Sequence, residues 1–164
     1  MFPAADNLAR DFWLFDQYNQ RFSLADHLAD SEVILVFFRG HWCPYCRRYL
    51  QKLCSRYNEF TARSARVAGI SPEPSNTTAA FAREFNVPFP MLSDCDGEVF
   101  DLYQARNRFA ASRALMPHPA VFVIDRQSRI RFRSIDRDYR RRTTIRTILT
   151  SLDEIAAAPG TQLV

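Results

Sequence analysis

The feature that most restricts the fold of this chain is an apolar run, Val33-Ile34-Leu35-Val36-Phe37-Phe38, that leads through Arg39-Gly40-His41 into Trp42-Cys43-Pro44-Tyr45-Cys46. The run has no polar alternation, so it reads as a strand covered on both faces. After Cys43 the period becomes helical. Tyr45, Tyr49, Leu53, Tyr57 and Phe60 fall on one stripe with Leu50 beside them, which predicts a helix to about Arg63. Arg39-Gly40 supplies the break, and Pro44 suits a first helical turn, where its missing N–H removes no internal bond. A buried strand therefore hands over to a helix at two thiols.

That position has chemical consequences. A helix N-terminus offers unpaired N–H groups and the positive end of the macrodipole, both of which favour thiolate over thiol. In such a CxxC the cysteine pKa falls from about 8.5 into a range of about 3.5–7.5. Cys43 and Cys46 share one turn, and their spacing suits a disulfide, which needs a Cα–Cα distance of about 4.4–6.8 Å. The pair is expected to be reachable by solvent. Cys54 lies two turns beyond Cys46, about 12 Å along the axis at 1.5 Å per residue, and is expected to be a small core residue. Cys95, in Asp94-Cys95-Asp96-Gly97, is expected to be an incidental turn cysteine, with a second resolving thiol as the alternative.

A metal is the competing use of two close cysteines. Structural zinc sites usually take four ligands in paired spacing. The chain has no second CxxC and no HxxxH, although His41 and His118 are available nitrogen donors. Redox chemistry is the reading taken, with no metal and no cofactor expected.

An apolar fraction of 47% with 14 phenylalanines argues a folded globule, and 164 residues suit one domain over 1–164. No apolar stretch is long enough to cross a bilayer, and Met1 to Trp13 lacks a signal pattern. A cytoplasmic location is expected, where a CxxC acts as a catalytic or metal-binding device more often than as a staple. The formal charge is +4, and nine arginines fall between Arg126 and Arg146. No nucleic-acid motif accompanies them, so a solvated face is expected there and nucleic acid is not the expected partner.

Along the rest of the chain, Phe12 to Phe15 reads as a strand, Asp16 to Gln20 as a turn, and Ala65 to Ile70 as a second core strand. Ser75 to Phe85 reads as a helix, Phe89 to Leu92 as extended, and Val99 to Tyr103 as a helical turn or two. Ala120 to Ile124 is an apolar strand, followed by the alternating Arg129-Ile130-Arg131-Phe132-Arg133, as in a half-buried antiparallel strand. Thr144 to Ala157 is an amphipathic helix. The order predicts an α/β sandwich with parallel crossovers early, a hairpin late and an N-terminal extension. Pro119 opens an interior strand, which is unusual for a residue without an N–H; a simple strand start and a cis proline beside the thiols are both open.

At Phe38-Arg39-Gly40-His41-Trp42-Cys43-Pro44-Tyr45-Cys46, Gly69-Ile70-Ser71, Phe89-Pro90-Met91-Leu92-Ser93-Asp94, Pro119 to Asp125 and Asp138 to Arg142, the chain resembles the thioredoxin-fold superfamily. Within it, the resemblance is to the peroxiredoxin-like (AhpC/TSA, redoxin) branch. The resemblance implies a thioredoxin-like three-layer sandwich with a mixed central sheet. It implies a thiol-dependent peroxidase acting on hydrogen peroxide or organic hydroperoxides, recycled by a thioredoxin- or glutathione-type donor. Cys46 matches the peroxide-attacking cysteine of peroxiredoxins, with Cys43 where they carry threonine. Thioredoxin-like proteins use the first cysteine instead, here Cys43. Pro119 stands where peroxiredoxins often carry an arginine and thioredoxins a cis proline.

The leading expectation is therefore a peroxidase in which Cys46, by preference, attacks and Cys43 resolves. Trp42, Pro44, Pro119 and Arg39 shape the site, and Arg39, Arg47 or Arg48 are candidates for stabilising the thiolate. A thiol–disulfide oxidoreductase attacking through Cys43 is the alternative, and a non-enzymatic redox sensor with a basic docking face is the third. A homodimer is an open option.

Overall fold

In the computed structural model, which describes residues 7–110 and 114–158, the apolar run lies at the centre of a five-stranded sheet. Residues at the two chain ends, including Met1 to Asp6, fall outside the described part. The elements in chain order are β1 (Trp13–Phe15), β2 (Arg21–Ser23), α1 (Leu24–Leu28), β3 (Glu32–Phe37), α2 (Pro44–Ser55) and α3 (Tyr57–Thr61). There follow β4 (Ala65–Ser71), α4 (Ser75–Phe85), β5 (Met91–Ser93), α5 (Glu98–Leu102), β6 (Ala120–Ile124), β7 (Ile130–Ile135) and α6 (Ile145–Ala157).

The sheet order is β5-β4-β3-β6-β7, with β3–β4 and β4–β5 parallel and β3–β6 and β6–β7 antiparallel. This is the mixed sheet expected. Every residue of β3 is buried because the two faces feed different cores. Ile34 and Val36 point to Leu50 and Leu53 of α2, Phe81 of α4, and Ile148 and Leu152 of α6. Val33, Leu35 and Phe37 point to Leu24 and Leu28 of α1, Phe100 of α5, and Phe12 and Phe22 of the β1–β2 extension. Burying each such side chain contributes about 1.5–3 kcal/mol, so α2 is fixed against the sheet along its length.

One local expectation changes. The predicted continuous helix to Arg63 breaks at Arg56, whose φ of −113° and ψ of 15° leave the helical region. Phe60 stays fully buried in the same core and Tyr57 packs against it, so the apolar stripe survives although the backbone does not run straight. Periodicity reports the buried face, and a one-residue reset between two helical pieces preserves it. The alternating arginines form β7, where Arg131 lies 3.1 Å from the buried carboxylate of Asp125.

The register brings the later strand to the cysteines. Phe37 pairs with Ala120 across the antiparallel β3–β6 ladder, so Pro119 lies beside the end of β3, where the turn to α2 begins. Its preceding peptide is trans, as are all peptides among the described residues, and its carbonyl accepts the Asp136 N–H at 2.8 Å. The simple strand start is the arrangement found, and the cis alternative is not.

Candidate active site

Cys43 is the N-cap of α2 and Pro44 its first helical residue, so Pro44 lies in the first turn as expected and Cys43 sits one position before the helix. The turn that delivers them is tight. Gly40 has φ +156°, and a Cβ placed on it would stand 2.7 Å from Trp42 Cδ1 and 2.9 Å from Glu73 Oε1. Only glycine lets the Trp42 ring and the Glu73 carboxylate approach the backbone this closely. Glu73, from the β4–α4 connection, accepts the His41 backbone N–H with both oxygens at 3.1 Å and also pairs with the His41 imidazole. Arg47 of α2 donates to the His41 carbonyl at 3.3 Å, closing the turn from its other side.

The two cysteines lie 3.4 Å apart without a disulfide. Each has its own guanidinium. Arg39 Nη1 donates to Cys43 Sγ at 3.8 Å, and Arg142 Nη2 donates to Cys46 Sγ at 3.1 Å. Arg142 comes from the connection between β7 and α6. That connection is tied to α2 by the Tyr49 hydroxyl, which donates to the Thr143 carbonyl at 2.7 Å. Burial pushes the Cys43 thiol up, but the N–H of Cys46, the Cys46 thiol, the Arg39 charge and the N–H of Tyr45 outweigh it and leave Cys43 lowered. Burial pushes Cys46 up and prevails there, against the Arg142 charge and the backbone of Arg39 and with the nearby Cys43 charge. The two sulfurs are thus biased in opposite directions, Cys43 toward the thiolate and Cys46 toward the thiol.

Solvent access differs from the expectation. Cys43 is 1% exposed and Cys46 is 0% exposed, so neither sulfur meets bulk water in this arrangement. The layer over Cys43 is thin. Arg39 lies against the sulfur and between two half-exposed rings, 4.8 Å from the Trp42 centroid and 4.5 Å from that of Tyr139. Tyr45 meets Tyr139 edge to face at 5.7 Å. Met116 Sδ accepts from Arg39 Nε at 3.3 Å and holds the guanidinium from below.

Of the residues singled out in the sequence, Cys43, Cys46, Trp42, Pro44 and Arg39 come together. Pro119 joins them indirectly, since it lines one small cavity with Tyr49 and Arg142. Arg47 lies over Phe81 and Phe85 and pairs with Glu84 at 3.3 Å, away from the sulfurs, and Arg48 is exposed. Cys54 is half-buried against the core, as expected of a packing residue, and burial raises its thiol. Cys95 is exposed in the β5–α5 turn and lines a separate groove of about 750 Å³ with Trp13, Phe15 and Pro74. No group of three or more potential metal ligands occurs among the described residues. Glu73, Met116 and Tyr139 were not legible as site residues. Nor was Arg142, 96 positions from Cys46 and one of many arginines in its stretch. For Arg142 the one usable signal was its place in the Asp138 to Arg142 segment of the resemblance.

A central sheet of this order, with a cysteine pair at the start of the helix that follows its middle strand, defines a thioredoxin-fold thiol oxidoreductase. The match to the AhpC/TSA family covers residues 5–133, and the chain belongs to that family. It is 32% identical over 126 residues to alkyl hydroperoxide reductase E of Mycobacterium tuberculosis, covering 76% of this chain and 80% of that one. It is 31% identical over 98 residues to a putative peroxiredoxin bcp of Helicobacter pylori, covering 60% and 64% of the two chains. Among solved structures, peroxidoxin BcpB from M. tuberculosis superposes with a TM-score of 0.79 at 26% identity, over 90% of this chain and 95% of that one. The mitochondrial 2-Cys peroxiredoxin from Plasmodium falciparum shares the fold, with a TM-score of 0.81 at 16% identity over 96% and 97%. The protein is an oxidoreductase of the thiol peroxidase kind. No helix among the described residues is long and apolar enough to cross a membrane.

Proposed function

We propose that the protein reduces a hydroperoxide through the Cys43–Cys46 pair in a two-thiol cycle, with Cys43 as the resting thiolate. The observation that carries this reading is the division of labour between the sulfurs. Cys43 caps α2 and receives N–H groups, a thiol proton and a guanidinium, whereas Cys46 lies deeper and stays protonated. In the first step Cys43 Sγ attacks one peroxide oxygen, the O–O bond breaks, and the departing alkoxide or hydroxide takes a proton. Cys43 becomes a sulfenic acid. Cys46 Sγ then displaces the sulfenic oxygen as water and forms the disulfide. Arg142 at 3.1 Å holds charge that develops on Cys46 in this step and when Cys46 leaves as thiolate during reduction of the disulfide.

This order departs from the peroxiredoxin expectation that Cys46 attacks first, and burial of Cys46 is the reason. Access requires Arg39 to swing from between Trp42 and Tyr139. A small thiol or dithiol donor then reopens the disulfide by exchange. The decisive test traps sulfenic acid in Cys43→Ser and Cys46→Ser proteins after one equivalent of peroxide. Cys46→Ser is expected to keep a single turnover and accumulate the adduct at Cys43. Cys43→Ser is expected to lose that burst by about 100-fold or more, the scale of removing an activated nucleophile. A burst retained in Cys43→Ser, with the adduct at Cys46, assigns the first attack to Cys46 instead.

The N-cap position of Cys43 also favours a second reading, in which Cys43 attacks a disulfide rather than a peroxide. A likeness to the thiol-disulfide oxidoreductase ResA of Bacillus subtilis, 25% identical over 74% of this chain, supports it. Activity on a disulfide with no consumption of any hydroperoxide decides for that reading.

A further inference from the structure

We propose that Met116 is a modification site, where a hydroperoxide oxidises the thioether to a sulfoxide that then holds Arg39 away from Cys43. It takes from the proposed cycle only that hydroperoxides reach Cys43, and it adds a second, slower target beside that sulfur. The backbone sets the thioether in place. The Met116 carbonyl accepts the Asn107 N–H at 2.8 Å, and Arg106 pairs with Pro117 in an isolated antiparallel bridge. Met116 lines a groove of about 300 Å³ with Arg106, Asn107 and Leu115. Its sulfur accepts from Arg39 Nε at 3.3 Å, while Nη1 of the same guanidinium donates to Cys43 Sγ at 3.8 Å.

One guanidinium thus touches both sulfurs, so the movement of Arg39 that admits a hydroperoxide to Cys43 also uncovers Met116 Sδ. Met91, the other methionine among the described residues, has no such neighbour. It is 1% exposed within the core under α2, against 9% for Met116. The thiolate is the stronger nucleophile and reacts first. Once Cys43 and Cys46 are joined as a disulfide, Met116 is the oxidisable sulfur left beside Arg39, and excess hydroperoxide attacks it.

The product changes what Arg39 is offered. A thioether sulfur is a weak acceptor, whereas a sulfoxide is polar and carries an oxygen that accepts strongly. The new oxygen has to enter the 3.3 Å gap between Sδ and Arg39 Nε, which has no room for it while Arg39 stays in place. The guanidinium shifts to bond the oxygen, and its contact with Cys43, already long at 3.8 Å, is the one given up. The modified protein keeps both cysteines but has lost a cation from the Cys43 thiolate. Excess hydroperoxide therefore slows the enzyme in a way that sulfoxide reduction reverses.

The chemistry balances. Met116 Sδ gives an electron pair to the terminal peroxide oxygen, the S–O bond forms and the O–O bond breaks. The proton on the transferred oxygen passes to the departing hydroxide or alkoxide, which leaves as water or alcohol. The sulfur loses two electrons and the hydroperoxide gains them.

The test treats the protein with excess hydrogen peroxide, restores the cysteines with dithiothreitol, which leaves a sulfoxide intact, and maps oxidised methionine by mass spectrometry. Met116 should gain one oxygen atom about tenfold or more faster than Met91. Site-resolved alkylation of Cys43 at neutral pH should then be about threefold slower than before treatment, with its midpoint at higher pH. A methionine sulfoxide reductase, which does not act on cysteine sulfinic acids, should restore both. Met116→Leu should show no such reversible loss. Met116→Gln, with a permanent amide oxygen, should carry the raised midpoint before any peroxide is added. Equal oxidation of Met116 and Met91, or a Met116 sulfoxide that leaves the Cys43 midpoint where it was, overturns the proposal. So does a reductase-reversible loss that persists in Met116→Leu. The cycle itself is judged apart, in a Cys43→Ser/Cys46→Ser protein. Formation of the Met116 sulfoxide there, beside a wild-type protein that consumes no hydroperoxide, ends the peroxidase reading and leaves the modification site standing.

Discussion

Two turns of this molecule share a plan and differ in chemistry. Each leaves the carboxyl end of a parallel-paired strand, passes a glycine with positive φ and starts a helix, and each carries a cysteine. At the β3–α2 turn, Arg39 and Arg142 stand on the sulfurs, and the N–H groups of a twelve-residue helix point at Cys43. At the β5–α5 turn, Cys95 lies between Asp94 and Asp96, the helix has five residues, and Gly97 rather than the cysteine is its N-cap. Partial burial, Asp96 and Asp94 together raise the Cys95 thiol. The lesson is that placing a cysteine near a helix start does not activate it. The sulfur must occupy the cap itself, before a helix long enough to matter, with cations as its neighbours.

The contrast can be broken most severely at the glycines. Gly40→Ala drives a Cβ into Trp42 and Glu73 and should lower peroxide turnover about tenfold or more. Gly97→Ala meets Arg106 Nη2 at 2.5 Å with φ +74°, and should cost about 1–2 kcal/mol of stability with little change in turnover. Paired denaturation curves and peroxide assays read both effects. A Gly97→Ala protein that loses activity in the folded state means that the two turns are coupled.

The pH dependence of labelling separates the two cysteines next. Site-resolved alkylation of Cys43 in the Cys46→Ser protein should level off below the usual thiol range. A lowered pKa leaves the thiolate populated at neutral pH and lost only as pH falls. Alkylation of Cys95 should still climb about tenfold per pH unit through neutrality, since a raised pKa keeps it protonated. Arg39→Gln sharpens this result, because the midpoint for Cys43 should move upward while the plateau rate rises about threefold as the cover opens. A midpoint that stays put removes Arg39 from the electrostatics. The smallest effect is expected for Asp96→Asn, a gain of about twofold in Cys95 labelling at neutral pH with peroxide turnover unchanged.

Much of this organisation was legible without coordinates, and the reason is physical. The strand at 33–38, the helix after Cys43 and the closing helix Ile145–Ala157 announce themselves by period, because burial on one or two faces imposes it. The place of Pro44 in the first turn of that helix was legible too, because its missing N–H removes no internal bond there, whereas the N-cap role of Cys43 came from the structure. The break at Arg56 was not legible, since no glycine or proline marks it and the buried stripe continues through it. The Arg142 contact was not legible either. Among the arginines of its stretch nothing local distinguishes the one whose connection Tyr49 pins over α2.

By themselves, the residues determined a mixed α/β sheet and a dithiol at a helix start, because hydrophobic period and capping act over a few neighbouring positions. Tertiary structure alone decided that both sulfurs lie covered and that Arg39 and Arg142 each take one of them. Burial and charge at a sulfur are sums over atoms close in space, and these atoms come from segments as far as 96 residues apart.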